Sequence, residues 1–349
     1  MNLENLPDDE AESCRPDRQT GLSGPLRLVA DLLALVYIGL IAAVASLTGA
    51  FYVLFPELAA LSSDVMGRPR GRWASAPILL ALTPTLTGLL GTVVTRTMTY
   101  GFVSVLITAA GCIAIIGALR SPVAPAISAG LLPLVLGITS WWYPPGILFG
   151  SSLLAAISIP WKRYATSTDV LDPDEIGQPE TLDCANPAHP PKETPGTHGA
   201  HRAGLVPREI LSLLAFVAVA VGAVKLTGMR FILFPPLVVI LYEMLCHPGE
   251  CPWLRRTVHL PIACFLAAAG GYLFHAYVGF APLAAILSMA WGIAVLRKLD
   301  VHVPPALAVA LLPMVMDRPT VGYPFAVGIG TTLAAVWFLM HEKWIEQHA

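Results

Sequence analysis

The sequence predicts an all-α protein, a polytopic transmembrane helical bundle made of two tandem, parallel repeats. Each repeat is read as five full spans plus one short broken segment, 10 to 12 membrane segments in all. Three observations carry this. The chain is 55% hydrophobic and only 13% charged, against about 25% charged residues in an ordinary soluble domain. Apolar runs long enough to cross a hydrocarbon core recur, such as LVADLLALVYIGLIAAVASL (28–47) and GFVSVLITAAGCIAIIGAL (101–119). The second half of the chain also restates the first.

Residues 1–24 begin MNLENLPDDEAESCRPDRQT, an acidic, polar tail without a basic region and cleavage site ahead of the first apolar run. We read it as disordered and uncleaved. Repeat 1 follows over 25–160, with spans near 27–47, 74–95, 100–119, 122–141 and 144–160. Residues 161–206 are rich in Pro, Gly, His and Asp; such a stretch buries too little apolar area to offset its ordering entropy and reads as a flexible cytosolic linker. Repeat 2 occupies 207–341, with spans near 208–227, 257–278, 280–296, 302–316 and 321–340, and 342–349 form a C-terminal tail.

The duplication is read by direct comparison. LTGAFYVLFPEL (47–58) lies over LTGMRFILFPPL (226–237), 179 positions on. After a one-residue gap near Trp73 the offset becomes 180, pairing Trp73 with Trp253 and Gly91 with Gly271. VAPAISAGLLPLVL (123–136) then lies over VPPALAVALLPMVM (303–316), and Tyr143-Pro144 over Tyr323-Pro324. One gap in so long a match indicates a tandem duplication whose copies share a fold.

Five crossings per half would make the copies inverted, and six would make them parallel. The deciding element is the short stretch after LFP, Phe51 to Val65 and Phe231 to Cys246. Lysine and arginine favour cytoplasmic loops. With six segments per half and the N-terminus inside, 17 of the 21 basic residues are inside and only Arg96, Lys225, Arg230 and Arg318 are outside. Five spans per half remove the bias, so the parallel arrangement is expected, with both termini cytoplasmic.

Pro56 and Pro235 lack an N–H and disfavour helix at Phe55 and Phe234, so a helix breaks or restarts there. A restart places free N–H groups and partial positive charge at membrane depth, which suits an anion. A plain packing kink is the alternative. Glu57 follows the first break, but its counterpart is Pro236. Glu243, His259, His275 and His302 lie near span ends in the second copy only; His302, beside Pro304 and Pro305, stands out, since an ionisable group in the membrane marks a functional position by default. Thr83, Thr85, Thr87, Thr92 and Thr95 either line a polar path or bond their own backbone. The candidate pathway residues are therefore Thr48, Gly49, Phe55, Pro56, Thr227, Gly228, Phe234, Pro235, His302, Pro304 and Pro305. Cys246, His247, Glu250, Cys251 and His259 fit no standard zinc spacing, the six cysteines form no disulfide framework, and no catalytic or nucleotide-binding fingerprint is present. No catalytic residue, metal or cofactor is expected. A net charge of −2 gives no field for nucleic acid; the expected partners are the lipid bilayer, a small inorganic or organic anion and a second copy of the chain as homo-oligomer.

The LFP segments, the loops GRPRGRW (67–73) and CHPGECPW (246–253), the Gly270-Gly271 pair and HVPPALAVALLPMV (302–315) resemble the HPP family of integral membrane proteins. The family's His-Pro-Pro motif is only approximated, by His302-Val303-Pro304-Pro305 and by Pro122-Val123-Ala124-Pro125, and the literal His189-Pro190-Pro191 lies in the linker. The resemblance implies a permease or channel for a small, nitrite-like anion in a bacterial-type inner membrane. A non-transporting scaffold or sensor that works through the linker, and an exporter of aromatic acids, are the other readings.

Overall fold

The structure is a computed structural model that describes residue 22 and residues 24–169 and 207–348. The expected N-terminal tail and most of the linker, including His189-Pro190-Pro191, lie outside the described residues. Those described are helical, without strands: α1 Gly24–Thr48, α2 Glu57–Gly67, α3 Pro77–Thr97, α4 Phe102–Leu119, α5 Ala126–Leu136, α6 Tyr143–Asp169, α7 Pro207–Thr227, α8 Pro235–Cys246, α9 Leu260–Tyr277, α10 Ala281–Lys298, α11 Pro304–Leu311 and α12 Gly322–His348. Short 3-10 turns at Phe51–Val53 and Arg230–Leu233 precede α2 and α8. Elements α7 to α12 follow the order and lengths of α1 to α6: long, short, long, long, short, long.

Eight helices (α1, α3, α4, α6, α7, α9, α10 and α12) are long and apolar enough to cross a membrane. Leu28, Leu32, Val36 and Leu40 on α1, and Phe325, Ile329, Val336 and Met340 on α12, point outward, as lipid-facing side chains do. The count differs from the ten spans read from hydropathy. Residues 122–141 and 302–316 yield only α5, of 11 residues, and α11, of eight, which continues as a 3-10 turn over Leu312–Val315. The reason is local. Pro125 and Pro304 hold the helix starts, while Gly137, at φ +75°, stops α5 in the left-handed region. Toward the linker the deviation is opposite, because α6 runs on to Asp169 through residues that composition assigns to the linker.

Pro133 and Pro313 cannot donate to the carbonyls four residues earlier, Ala129 and Val309. Tyr143 Oη and Tyr323 Oη donate to those same carbonyls, at 2.8 and 2.6 Å. The matched Tyr-Pro of each copy thus supplies the hydrogen bond that its own proline removes. The threonines of α3 follow the local option: Thr85, Thr87, Thr92 and Thr95 donate to backbone carbonyls of their own helix, and Thr83 bonds Ser121 Oγ at 2.8 Å.

Hydrogen bonds also show which helix ends lie together. Leu22 N–H, just before α1, donates to Gly67 O at the end of α2 at 3.1 Å. Trp161 Nε1, late in α6, donates to Met66 O at 2.8 Å. These ends form the near end of the bundle. Arg96, at the end of α3, donates to Thr139 O just past α5 at 2.6 Å. With 21 residues in α3, that is about 31 Å from the near end, and it defines the far end.

The two halves meet reciprocally. Helix α1 packs on α10 as α7 packs on α4, and α2 packs on α11 as α8 packs on α5. The short helices are the centre of the contact. Arg297 of α10 pairs with Asp31 of α1 near one end. At the far end Arg230 donates to Val135 O at 3.3 Å and covers the Tyr100 ring at 4.9 Å.

Candidate functional site

Thr48-Gly49 and Thr227-Gly228 are helix stops. Gly49 and Gly228 adopt φ +69° and +72°, conformations that favour glycine. The exposed Thr48 and Thr227 hydroxyls donate to Val44 O and Ala223 O, each at 2.7 Å. They stand apart from the central residues. Phe55, Pro56, Phe234 and Pro235 are buried where α2 and α8 begin, and Pro304 and Pro305 are buried in the first turn of α11. His302, just ahead of them, points back across the contact between the halves.

Two buried carboxylates lie at the near end, one turn from the ends of α2 and α8. Asp64, 1% exposed, accepts from Arg68 Nε at 2.8 Å and from the Arg68 guanidinium a second time; His302 Nε2 lies 3.3 Å from the same oxygen. Glu243 Oε2 lies 3.2 Å from His247 Nδ1, an ion-pair distance without a hydrogen bond's alignment, and 3.6 Å from Arg72. The pattern is two-fold. Asp64 and Glu243 are 179 positions apart, as are Arg68 and His247, so each half has an acid in the last turn of its first short helix and a base four residues on, just past the helix end. Each acid also receives a base from the other copy, His302 onto Asp64 and Arg72 onto Glu243. Cys251 is within electrostatic reach of both Glu243 and Arg68. Burial pushes its thiol well up, so it stays a protonated, unreactive group.

Removing a carboxylate from water costs several kcal/mol, and each of these two is offset by bases from both halves. The arrangement cross-links the two halves of the chain at one end of their contact. Among the described residues no group of three or more His, Cys, Asp or Glu comes together as a metal site; Cys246, Cys251 and His247 are spread around the end of α8.

The third buried acid is paired with no base among the described residues. Glu57, 1% exposed, is the first residue of α2, and its Oε1 accepts from Ser128 Oγ, on the third residue of α5. Because α2 ends at the near end and α5 at the far end, this contact brings the first turns of two oppositely running helices together at depth. The expected free N–H groups are not there, since Leu58, Ala59, Ala126, Ile127 and Ser128 N–H already donate to the carbonyls of Phe55, Pro56, Val123, Ala124 and Pro125; what the two helix starts put around the carboxylate is the partial positive charge of their dipoles. Glu57 is also within electrostatic reach of Tyr143 and Tyr323, one from each half. Two helix N-termini contribute about 1 to 2 kcal/mol each at most, less than the several kcal/mol of burying an ion.

Sequence reasoning selected His302, noted Glu243 and Glu57, and missed Asp64, Arg68, Arg72 and Ser128 as parts of a site. A comparison of the copies by charge type, rather than by identity, finds Asp64 over Glu243 and Arg68 over His247. Comparison with family models, with curated proteins and with solved structures finds no match to this chain.

Proposed function

We propose that this chain is a transporter or channel for a small anion, with the pathway running between two parallel repeats of six membrane segments each. The carrying observation is the meeting of recessed helix starts at Glu57 and Ser128. In the first half that place holds a carboxylate of the chain's own. In the second half the corresponding residues are Pro236 and Ala308, so neither position supplies an acid; the starts there are Pro235-Pro236 and Pro304-Pro305, and Leu237 and Ala306 N–H donate to Phe234 O and Val303 O, so the attraction for a small anion is that of the helix dipoles and not of N–H donors. Resemblance to the HPP family points to a nitrite-like anion, and membership of that family is part of the same proposal.

The parallel arrangement is supported by the ends that meet: Arg72 with Glu243 and His302 with Asp64 at the near end, Arg230 with Val135 at the far end. Inverted repeats about an axis in the membrane plane would put equivalent ends on opposite faces. In this reading α2, α5, α8 and α11 cross as short segments extended by non-helical chain. The 17-to-4 distribution of basic residues then places the near end, with both termini, in the cytoplasm of a bacterial-type inner membrane.

Purified protein in liposomes should conduct or exchange nitrite, nitrate or chloride; folded protein that moves none of them refutes the anion reading. For the topology, single-cysteine variants Arg70→Cys and Arg255→Cys in a cysteine-free background should react with an impermeant thiol reagent from the same side of the membrane. Labelling from opposite sides would restore inverted repeats.

A further inference from the structure

We propose that Glu57 is a proton-binding site, and that its carboxyl takes up and releases a proton as the anion passes. The placement of its two oxygens carries the inference. Oε1 accepts from Ser128 Oγ, whereas Oε2 is buried with no hydrogen-bond partner. A buried carboxylate oxygen without a hydrogen-bond partner is uncommon in a native structure; besides Ser128 the carboxyl lies near its own backbone N–H, and the group as a whole pairs with no base among the described residues.

Its surroundings are accounted for element by element. Helix α2 packs against α1, α6, α11 and the turn at Trp73–Ser75. From α6 the titratable group within electrostatic reach is Tyr143, which the Cys112 thiol of α4 also reaches; from α12 it is Tyr323, which Cys264 of α9 also reaches. Both tyrosine hydroxyls already donate to backbone carbonyls. On α1, Tyr37 donates to Gly150 O, and Asp31 is paired with Arg297. Helix α11 contributes no titratable side chain. On α2 itself, Asp64 is held by Arg68 and His302 at the other end of the helix. Among the described residues, no cation is paired with Glu57.

A divalent cation is a poor candidate for that role, since one carboxylate and one serine hydroxyl fall short of the six or more oxygens that calcium or magnesium requires. A proton needs only Oε2. When it binds, an O–H bond forms at Oε2, the group goes from a single negative charge to neutral, and the Ser128 hydrogen bond to Oε1 is kept. On release the proton returns to water. The final step rests on the anion reading above: neutral Glu57 no longer repels an anion, so the positive ends of the neighbouring helices are free to attract one. Proton and anion then load together.

The test reads the acid without any substrate. Full-length protein in detergent is treated with dicyclohexylcarbodiimide, an apolar reagent that adds to protonated carboxyls, over a range from mildly acid to mildly alkaline, and the adduct is located by peptide mass spectrometry. We expect an adduct at Glu57 that falls about tenfold per pH unit once the acid ionises, and none at that position in Glu57→Gln. No Glu57 adduct at any pH, or labelling that does not change with pH, overturns the proposal. In liposomes, anion uptake by the natural chain should accelerate when the outer solution is made acid, and uptake by Glu57→Gln should not respond. If no anion moves at all, the anion reading fails, and the labelling result alone judges the proton site.

Discussion

Asp64→Asn is expected to be among the most damaging single substitutions outside the apolar core, lowering stability by about 3 to 5 kcal/mol, the range seen when one partner of a buried ion pair is removed. The near-isosteric amide keeps the packing of α2 but removes the buried charge that Arg68 and His302 both face. The measurement is the fraction of monodisperse protein left after heating in detergent. Asp31→Asn is the internal contrast. Its partner Arg297 is 43% exposed, so its loss should fall in the range of surface pairs, about 1 kcal/mol or less. A triple replacement of Asp64, Arg68 and His302 by apolar residues of similar size should recover much of the loss, because a missing ion network costs less than a broken one. Equal loss from Asp64→Asn and Asp31→Asn would remove the near-end cluster from any account of how the halves are held.

Much of this architecture is legible in the sequence, and what is not has identifiable causes. Long apolar runs give α1, α3 and α4 with small errors at the ends and the start of α6, because their length alone forces a helix long enough to span a membrane; the polar end of α6, up to Asp169, carries no such signal. Residues 122–141 mislead hydropathy, which counts apolar side chains and is blind to the left-handed turn at Gly137 that stops α5 after 11 residues. Pro133 is visible, but its remedy is not: nothing local says that Tyr143 returns to the Ala129 carbonyl. The repeat comparison comes closer, since Tyr143 and Tyr323 already stand in register. The pathway residues divide in the same way. Pro56 and Pro235 start helices at depth as their chemistry dictates, whereas Thr48 and Thr227 look like ligands and are caps, because a hydroxyl after a helical run has a carbonyl one turn back within reach. Asp64 was passed over because its partners come from 4 and 238 positions away. Only the first of those distances belongs to a helix pattern.

Gly91→Ala and Gly271→Ala are expected to destabilise the protein as strongly as any single-methyl addition in it. A Cβ at Gly91 would run into the carbonyl of Gly130 on α5, and one at Gly271 into the carbonyl of Ala310 on α11. In each case the obstacle is backbone, so no rotamer change relieves it, and the loss should reach the upper part of the roughly 1 to 3 kcal/mol range for overpacked cores or exceed it. Gly222→Ala on α7 is the control: its Cβ would meet nothing within 4 Å, and the helix preference for alanine should leave stability unchanged or raise it by up to about 1 kcal/mol. Melting of the three variants in one detergent separates the effects, and similar behaviour of Gly91→Ala and Gly222→Ala would refute the close approach of α3 to α5. The copies themselves show how tight this seam is. A Cβ at Gly130 would meet Cys112 Sγ, while the second half carries Ala310 there and Gly292 in place of the cysteine, with the Ala310 methyl near Gly292. The methyl gained on one helix is matched by the side chain lost on its neighbour. Such an exchange is required only where both halves hold α3 to α5, and α9 to α11, at backbone contact, and in the first half that contact fixes α5, whose first turn meets Glu57 through Ser128.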